Sequence, residues 1–145
     1  MGRRRVTAAL RAQVARRANW CCEYCKSPQR FCPDAFSIDH IHPRSRSGRD
    51  ELSNLAFACQ GCNNAKYDHT AARDPTTGAA VALFNPRLDP WTEHYHWDES
   101  FTLIVGITAT GRATLDLLKL NRPTVQNLRK LLHDSGFHPP REKDR

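Results

Sequence analysis

Two closely spaced pairs of cysteines constrain this 145-residue chain more than any other feature. Each pair has the spacing Cys-x-x-Cys, and the pairs are Cys22 with Cys25 and Cys59 with Cys62. Two such pairs provide four thiolates for a tetrahedral Zn²⁺ ion with little strain in the chain. Because a shared ion joins two segments that are distant in sequence, its binding energy contributes to folding. The sequence therefore predicts a structural zinc site formed by these four residues.

Two further cysteines leave one alternative open. Cys21 adjoins Cys22, and a shift of one residue would make Cys21 the ligand instead. Cys32 has no partner at zinc-ligand spacing, and we expect an ordinary loop cysteine there. Six cysteines can also form disulfides in a secreted protein, but the basic N-terminal segment lacks the apolar stretch of a secretory signal. We therefore expect a cytoplasmic protein with reduced, metal-bound thiolates.

The positive charge of the chain is concentrated near its N-terminus. The net charge is +7, and the first 30 residues hold eight basic residues and one acidic residue. The remainder holds 14 basic and 14 acidic residues. A compact basic segment attracts polyanions, although a solubilising, partly frayed terminus or a solvated charged loop has a similar composition. The candidate nucleic-acid contacts are the arginines Arg3, Arg4, Arg5, Arg11, Arg44, Arg46 and Arg49.

The length and hydropathy favour a single soluble domain. The mean hydropathy is −0.65, and no apolar run approaches the roughly 18 residues that a membrane span needs. We expect no membrane association, and a monomer or a weak dimer. Within the domain we distinguish a basic helix over residues 1–20, a core over 21–70 and a C-terminal region over 71–145.

Local patterns predict an α+β fold. Apolar residues at four-residue spacing indicate a helix from Thr7 to Ala18, with Thr7 as the N-cap. Between the cysteine pairs we predict a strand within Ala35 to Ile41 and a returning strand from Asn54 to Ala58. A helix from Cys62 to His69 follows the second pair.

The C-terminal region is predicted to add one strand and two helices. Residues 71–90 contain several prolines and indicate an irregular segment. A strand is predicted from Phe101 to Thr108 and a helix from Arg112 to Leu120. Pro123 suits the first position of a last helix that runs to Asp134 and ends before Gly136.

Polar residues between the cysteine pairs indicate hydrolytic chemistry. Breaking a phosphodiester bond requires an activated water and a cation near the phosphate. A neutral histidine such as His40 is a suitable base at neutral pH. The adjacent Asp39 can serve a divalent ion, and Asn63 can supply a second, neutral oxygen ligand. Few protein ligands leave open positions for water and phosphate oxygens, as Mg²⁺ prefers.

These motifs together resemble the HNH endonucleases of the ββα-metal type, in their zinc-containing subgroup. The matching pieces are the letters CEYC, IDHIHPRSRSG, SNL and CQGCNNAK, which span Cys22 to Lys66 and cover about a third of the chain. Residues after this core, such as Leu83 to Arg87, are more weakly similar to the tails of compact stand-alone bacterial HNH proteins.

The resemblance implies a role for each polar residue of the core. His40 is implied to be the general base, and Asn54 to tie the loop between the strands and hold His40. Asp39 and Asn63 are implied to bind the catalytic ion, Mg²⁺ or Mn²⁺. Lys66 is implied to face the scissile phosphate. The strand-loop-strand is implied to lie along the minor groove of DNA.

These expectations together favour a metal-dependent DNA endonuclease that hydrolyses phosphodiester bonds, acting by nicking. One alternative is a non-catalytic zinc module that binds nucleic acid, which would share the cysteines and the basic segment. Another is a protein-interaction domain, which would leave the basic segment without a polyanion. The joint presence of Asp39, His40, Asn63 and Lys66 favours the enzyme over both.

Overall fold

The computed structural model describes residues 5–141. Its first helix, α1 (Ala8–Arg17), begins at Thr7, whose hydroxyl accepts a hydrogen bond from the Leu10 amide at 3.2 Å. The helix buries Val14 and Ala15. The predicted N-terminal helix and its cap are thus confirmed.

A two-stranded antiparallel sheet and a short helix follow. The strands are β1 (Ser37–His40) and β2 (Leu55–Ala58), and the register sets His40 opposite Leu55. Helix α2 (Gln60–Lys66) starts at Cys59, whose sulfur accepts from the Cys62 amide. This ββα arrangement confirms the predicted core. The helix is displaced toward the N-terminus from the predicted one, because Cys59 caps it and Tyr67 adopts a positive φ of 49°.

The segment predicted to be irregular instead contains a hairpin, and that expectation is wrong. Strands β3 (Ala71–Arg73) and β4 (Ala80–Ala82) pair antiparallel. The fully buried Asp74 follows β3, and its carboxylate accepts from the Arg112 guanidinium through two bonds of 2.9 Å. The Arg112 guanidinium holds the pKa of the Asp74 carboxyl well below its usual range. The hairpin is thereby fixed to a later helix.

The C-terminal region contains a second short hairpin. Helix α3 (Trp91–His94) leads into β5 (Tyr95–Trp97), which pairs antiparallel with β6 (Ile104–Gly106). The predicted strand at this position is shortened, since Phe101 has a positive φ of 61° and belongs to the turn.

Two helices complete the described part of the chain. They are α4 (Ala109–Leu118), capped by Thr108, and α5 (Pro123–Asp134), which has proline at its start. Helix α5 ends before Gly136, which has a φ of 83°. The α+β class is confirmed. No helix within residues 5–141 is long and apolar enough to cross a membrane.

A buried arginine connects α5 to the rest of the core. Arg129 is only 2% exposed, and its guanidinium donates to the carbonyl oxygens of Leu120 at 2.6 Å and Cys25 at 3.3 Å. It also lies 5.1 Å from the ring centre of Trp97. The C-terminal helix is therefore bound directly to the first cysteine pair.

Candidate active site and zinc centre

The four predicted zinc ligands meet in one cluster. The sulfur atoms of Cys22, Cys25, Cys59 and Cys62 lie within 4.8 Å of one another, and all four residues are buried. In each pair the amide of the second cysteine donates to the sulfur of the first at 3.4 Å. A set of four convergent thiols is the donor chemistry that zinc favours. These residues can hold zinc, and Cys21 and Cys32 lie outside the cluster.

An arginine from the C-terminal region contacts this cluster. The Arg122 guanidinium donates to the sulfurs of Cys59 at 3.3 Å and Cys62 at 3.7 Å. Burial lowers the pKa of Arg122, but the neighbouring cysteine sulfurs outweigh burial and raise it above its ordinary value. A Cβ atom on Gly61 would lie 2.5 Å from this guanidinium, so glycine makes room for it. Sequence spacing gave no signal for Arg122, which is 60 residues beyond Cys62.

Replacing Arg122 by leucine is expected to weaken zinc retention. Four zinc-bound thiolates carry a net negative charge, and losing a hydrogen-bonding partner outside the ligand set typically costs about 10- to 100-fold in metal affinity. We expect the rate of zinc transfer to a chromogenic chelator to rise about tenfold or more. Lys130→Leu removes the same charge from an exposed position on α5 and is the control. Equal transfer rates for the two variants would contradict the role of Arg122.

His40 lies at the end of β1, next to a carboxylate that sequence reasoning missed. The Nε2 atom of His40 is 2.7 Å from Oδ1 of Asp50, and the His40 side chain is 14% exposed. Arg44 donates to both oxygens of the same carboxylate at 2.8 to 3.0 Å. Asp50 lies in the loop between β1 and β2, ten residues after His40, and only the folded loop brings the two side chains together.

Asp39 points to the other side of β1, into the protein. Its carboxylate is buried and accepts from the Tyr24 hydroxyl at 2.6 Å and the Lys66 ammonium at 3.2 Å. Burial and the adjacent Asp39 charge raise the pKa of Tyr24 well above its usual value, so its hydroxyl remains a donor.

Lys66 lies inside the protein, and in this structure its ammonium group contacts Asp39; its role toward a scissile phosphate stays a prediction. The residue is 2% exposed. Its ammonium group also donates to the carbonyl oxygens of His40 at 3.3 Å and Ile41 at 3.2 Å. A buried ammonium is stabilised by such partners. Lys66 therefore holds the end of β1 rather than reaching the surface.

Asn54 ties the loop between the strands. Its side-chain oxygen accepts from the His42 amide at 2.8 Å. Its side-chain nitrogen donates to the carbonyl oxygens of His42 at 3.0 Å and Arg49 at 2.9 Å. Gly48 packs into the same loop, where a Cβ atom would lie 1.7 Å from the His42 oxygen. The loop that follows His40 is thus held at both of its ends.

Asn54→Ala is expected to loosen this loop. The variant loses three hydrogen bonds, and we expect the free energy of unfolding to fall by about 2 kcal/mol. Urea denaturation of the zinc-loaded protein measures the change. Asn64→Ala on the exposed side of α2 is the matched control and should change stability by less than about 0.5 kcal/mol. An equal loss in both variants would show that Asn54 is not a special contact.

Comparison with known families agrees with this geometry. The family model of the HNH endonucleases matches residues 22–69, which include the cysteine cluster, both strands and α2. Residues 22–69 are an HNH endonuclease domain. No curated protein and no solved structure matches the chain. The resemblance noted in the sequence is confirmed, and an HNH domain indicates a nuclease-type function that involves nucleic acid.

The third polar residue of the HNH motif lies on α2. Asn63 is half-buried one turn before Lys66, and residues three apart lie on the same face of a helix. This face is directed at the end of β1, because Lys66 contacts Asp39. Carboxylate and amide oxygens suit a magnesium ion. The donor types of Asp39 and Asn63 therefore fit a divalent cation, provided that the Lys66 ammonium gives way.

The structure describes some, not all, of the arginines that were predicted to contact nucleic acid. Arg5 and Arg11 are exposed, whereas Arg3 and Arg4 lie outside the described residues. The three loop arginines Arg44, Arg46 and Arg49 are also exposed. Arg44 is engaged with Asp50, and Arg49 lies 3.6 Å from Glu51.

Proposed function

We propose that the HNH domain hydrolyses phosphodiester bonds of DNA, with His40 as the general base. The observation that supports this most directly is the half-buried His40 ring at the end of β1. Within the HNH domain, the Asp50 carboxylate contacts and orients this ring. A histidine held in this way can take a proton from a water molecule as the water attacks phosphorus.

The proposal includes a Mg²⁺ or Mn²⁺ ion, for which Asp39 and Asn63 are the candidate ligands. When bound, such an ion neutralises charge on the phosphate and on the leaving oxygen. The Asp39 carboxylate already binds one cation, the Lys66 ammonium, which an incoming metal ion would displace. The side chain of Asn63 makes no hydrogen bond within residues 5–141. Its amide oxygen is therefore available as a metal ligand.

DNA is the proposed substrate because exposed arginines lie in and next to the HNH domain in sequence. Arginine contacts with phosphates dominate affinity without reading sequence. Arg5 and Arg11 on the N-terminal side, with Arg46 and Arg49 on the loop after β1, are the candidate contacts. The domain would then bind the DNA backbone through both groups of arginines.

Relaxation of supercoiled plasmid tests the proposal. The zinc-loaded protein should convert supercoiled DNA to open circles when Mg²⁺ or Mn²⁺ is added, and should not do so without added ion. Open circles should precede linear DNA, since one site cuts one strand at a time. A His40→Ala preparation made in parallel excludes contaminating nucleases.

One observation favours the non-catalytic alternative, a zinc module that binds nucleic acid. Both oxygens of Asp39 are engaged, by Tyr24 and by Lys66, so the carboxylate serves the fold. Salt-dependent retention of DNA without cleavage by any divalent ion would support this alternative and reject the nuclease proposal.

A further inference from the structure

The contact between His40 and Asp50 determines which nitrogen of the ring carries a proton. An ionised carboxylate only accepts hydrogen bonds, so its partner Nε2 must be the donor. In a neutral imidazole the lone pair is then on Nδ1. Within residues 5–141, the only hydrogen bond of the His40 ring passes through Nε2. The remaining nitrogen is thus the one available to accept a proton.

Asp50 is itself held in place and in its charged form. Arg44 donates through Nε at 3.0 Å and through Nη2 at 2.8 Å, so it binds both oxygens of the carboxylate. Paired contacts of this kind fix the plane of the carboxylate as well as its position. The hydrogen bond from His40, with the contribution of Arg44, holds the pKa of the Asp50 carboxyl below its usual range.

We propose that Asp50 is the positioning residue of this site, which keeps the proton of His40 on Nε2 and the lone pair on Nδ1. The inference rests on the proposed role of His40 as general base. Nδ1 takes a proton from water while the water oxygen bonds to phosphorus, and the bond from phosphorus to the leaving oxygen breaks. Solvent protonates the leaving oxygen, and the ring later returns its proton to solvent. Asp50 remains ionised and stabilises the imidazolium that forms.

The contact with Asp50 gives Arg44 a different role from the predicted contact with nucleic acid. Its guanidinium is directed at Asp50, which leaves Arg46 and Arg49 as the loop arginines for DNA phosphates. Arg44→Ala should therefore lower the cleavage rate at saturating DNA. A loss of DNA affinity with no change in that rate would show that Arg44 is a phosphate contact instead.

Asp50→Asn tests the proposal with little change in shape. An amide can turn its NH₂ group toward the ring and stabilise the opposite tautomer. We expect single-turnover cleavage at saturating DNA to slow about a hundredfold. Glu51→Gln makes the same charge change on the same loop, where Glu51 is exposed, and is the control.

A measurement that needs no activity completes the test. Long-range ¹H–¹⁵N correlation spectra of the zinc-loaded protein identify the protonated ring nitrogen, with His40 assigned from the spectrum of His40→Ala. The proposal expects Nε2–H in the wild-type protein and in Glu51→Gln, and a loss of this preference in Asp50→Asn. A proton on Nδ1 in the wild-type protein overturns it.

The possible failures are distinguishable. If His40→Ala cleaves like the wild-type protein, His40 is not the base and the proposed function fails in that respect. If His40→Ala is inactive while Asp50→Asn keeps the wild-type rate, only the positioning role is overturned. Zinc content and melting temperature, measured for every variant, separate both results from unfolding.

Discussion

A His40→Ala variant is expected to cleave plasmid DNA at least a hundredfold more slowly than the wild-type protein. General bases typically contribute about 10²- to 10⁴-fold to a rate, and no neighbouring side chain on β1 replaces the lost imidazole. Truncation leaves the Asp50–Arg44 pair intact, and the His40 ring is 14% exposed. The zinc content and the melting temperature should therefore change little. Single-turnover rates at saturating DNA measure the effect.

The matched control is His69→Ala, which removes an exposed histidine shortly after α2. This variant should cleave at the wild-type rate. Cleavage by His40→Ala at the wild-type rate would contradict the assignment of the base. Restoration of cleavage by added imidazole in His40→Gly, where a space is left for it, would support the assignment independently.

The largest expected effect on stability comes from loss of the zinc ligands. Structural zinc sites supply roughly 10–16 kcal/mol of apparent binding energy, whereas a whole domain is stable by only about 5–15 kcal/mol. The four cysteines belong to the buried core, together with residues such as Tyr24 and Phe57. Cys59→Ser is therefore expected to lose zinc and cooperative unfolding. Zinc stoichiometry and circular dichroism melting measure both losses.

Two other cysteines provide controls in the same chain. Cys32→Ser and Cys21→Ser should each retain one zinc ion and the wild-type melting temperature, since neither residue belongs to the sulfur cluster. Loss of zinc in Cys21→Ser but not in Cys22→Ser would show that the ligand set is shifted by one residue. Full zinc binding by Cys59→Ser would contradict the site altogether.

Short-range patterns predicted much of this fold. The cysteine spacing, the cap at Thr7 and the proline at the start of α5 each act within a few residues, and each was confirmed. The hairpin of β3 and β4 was missed because its strands are three residues long and depend on the distant Arg112.

The candidate site was harder to predict, since side-chain partners there depend on tertiary structure. Lys66 has the right spacing to reach a phosphate, but burial of Asp39 draws its ammonium inward. Asp50 carries no local signal, because it lies ten residues after His40 and meets it only when the loop between β1 and β2 has folded. Asp39, His40 and Asn63 keep their predicted roles as proposals. Burial and long-range pairing, not sequence spacing, decide these contacts.

The contacts of Arg122 and Arg129 bear on how this HNH domain can be transplanted. The family match ends at residue 69, yet two guanidinium groups from beyond residue 120 contact the cysteine sulfurs and the Cys25 carbonyl. Excising the matched segment would expose the sulfurs and leave that carbonyl without its partner. A chimeric protein that borrows this domain should therefore also carry α5, because the smallest autonomous module is larger than the motif that identifies it.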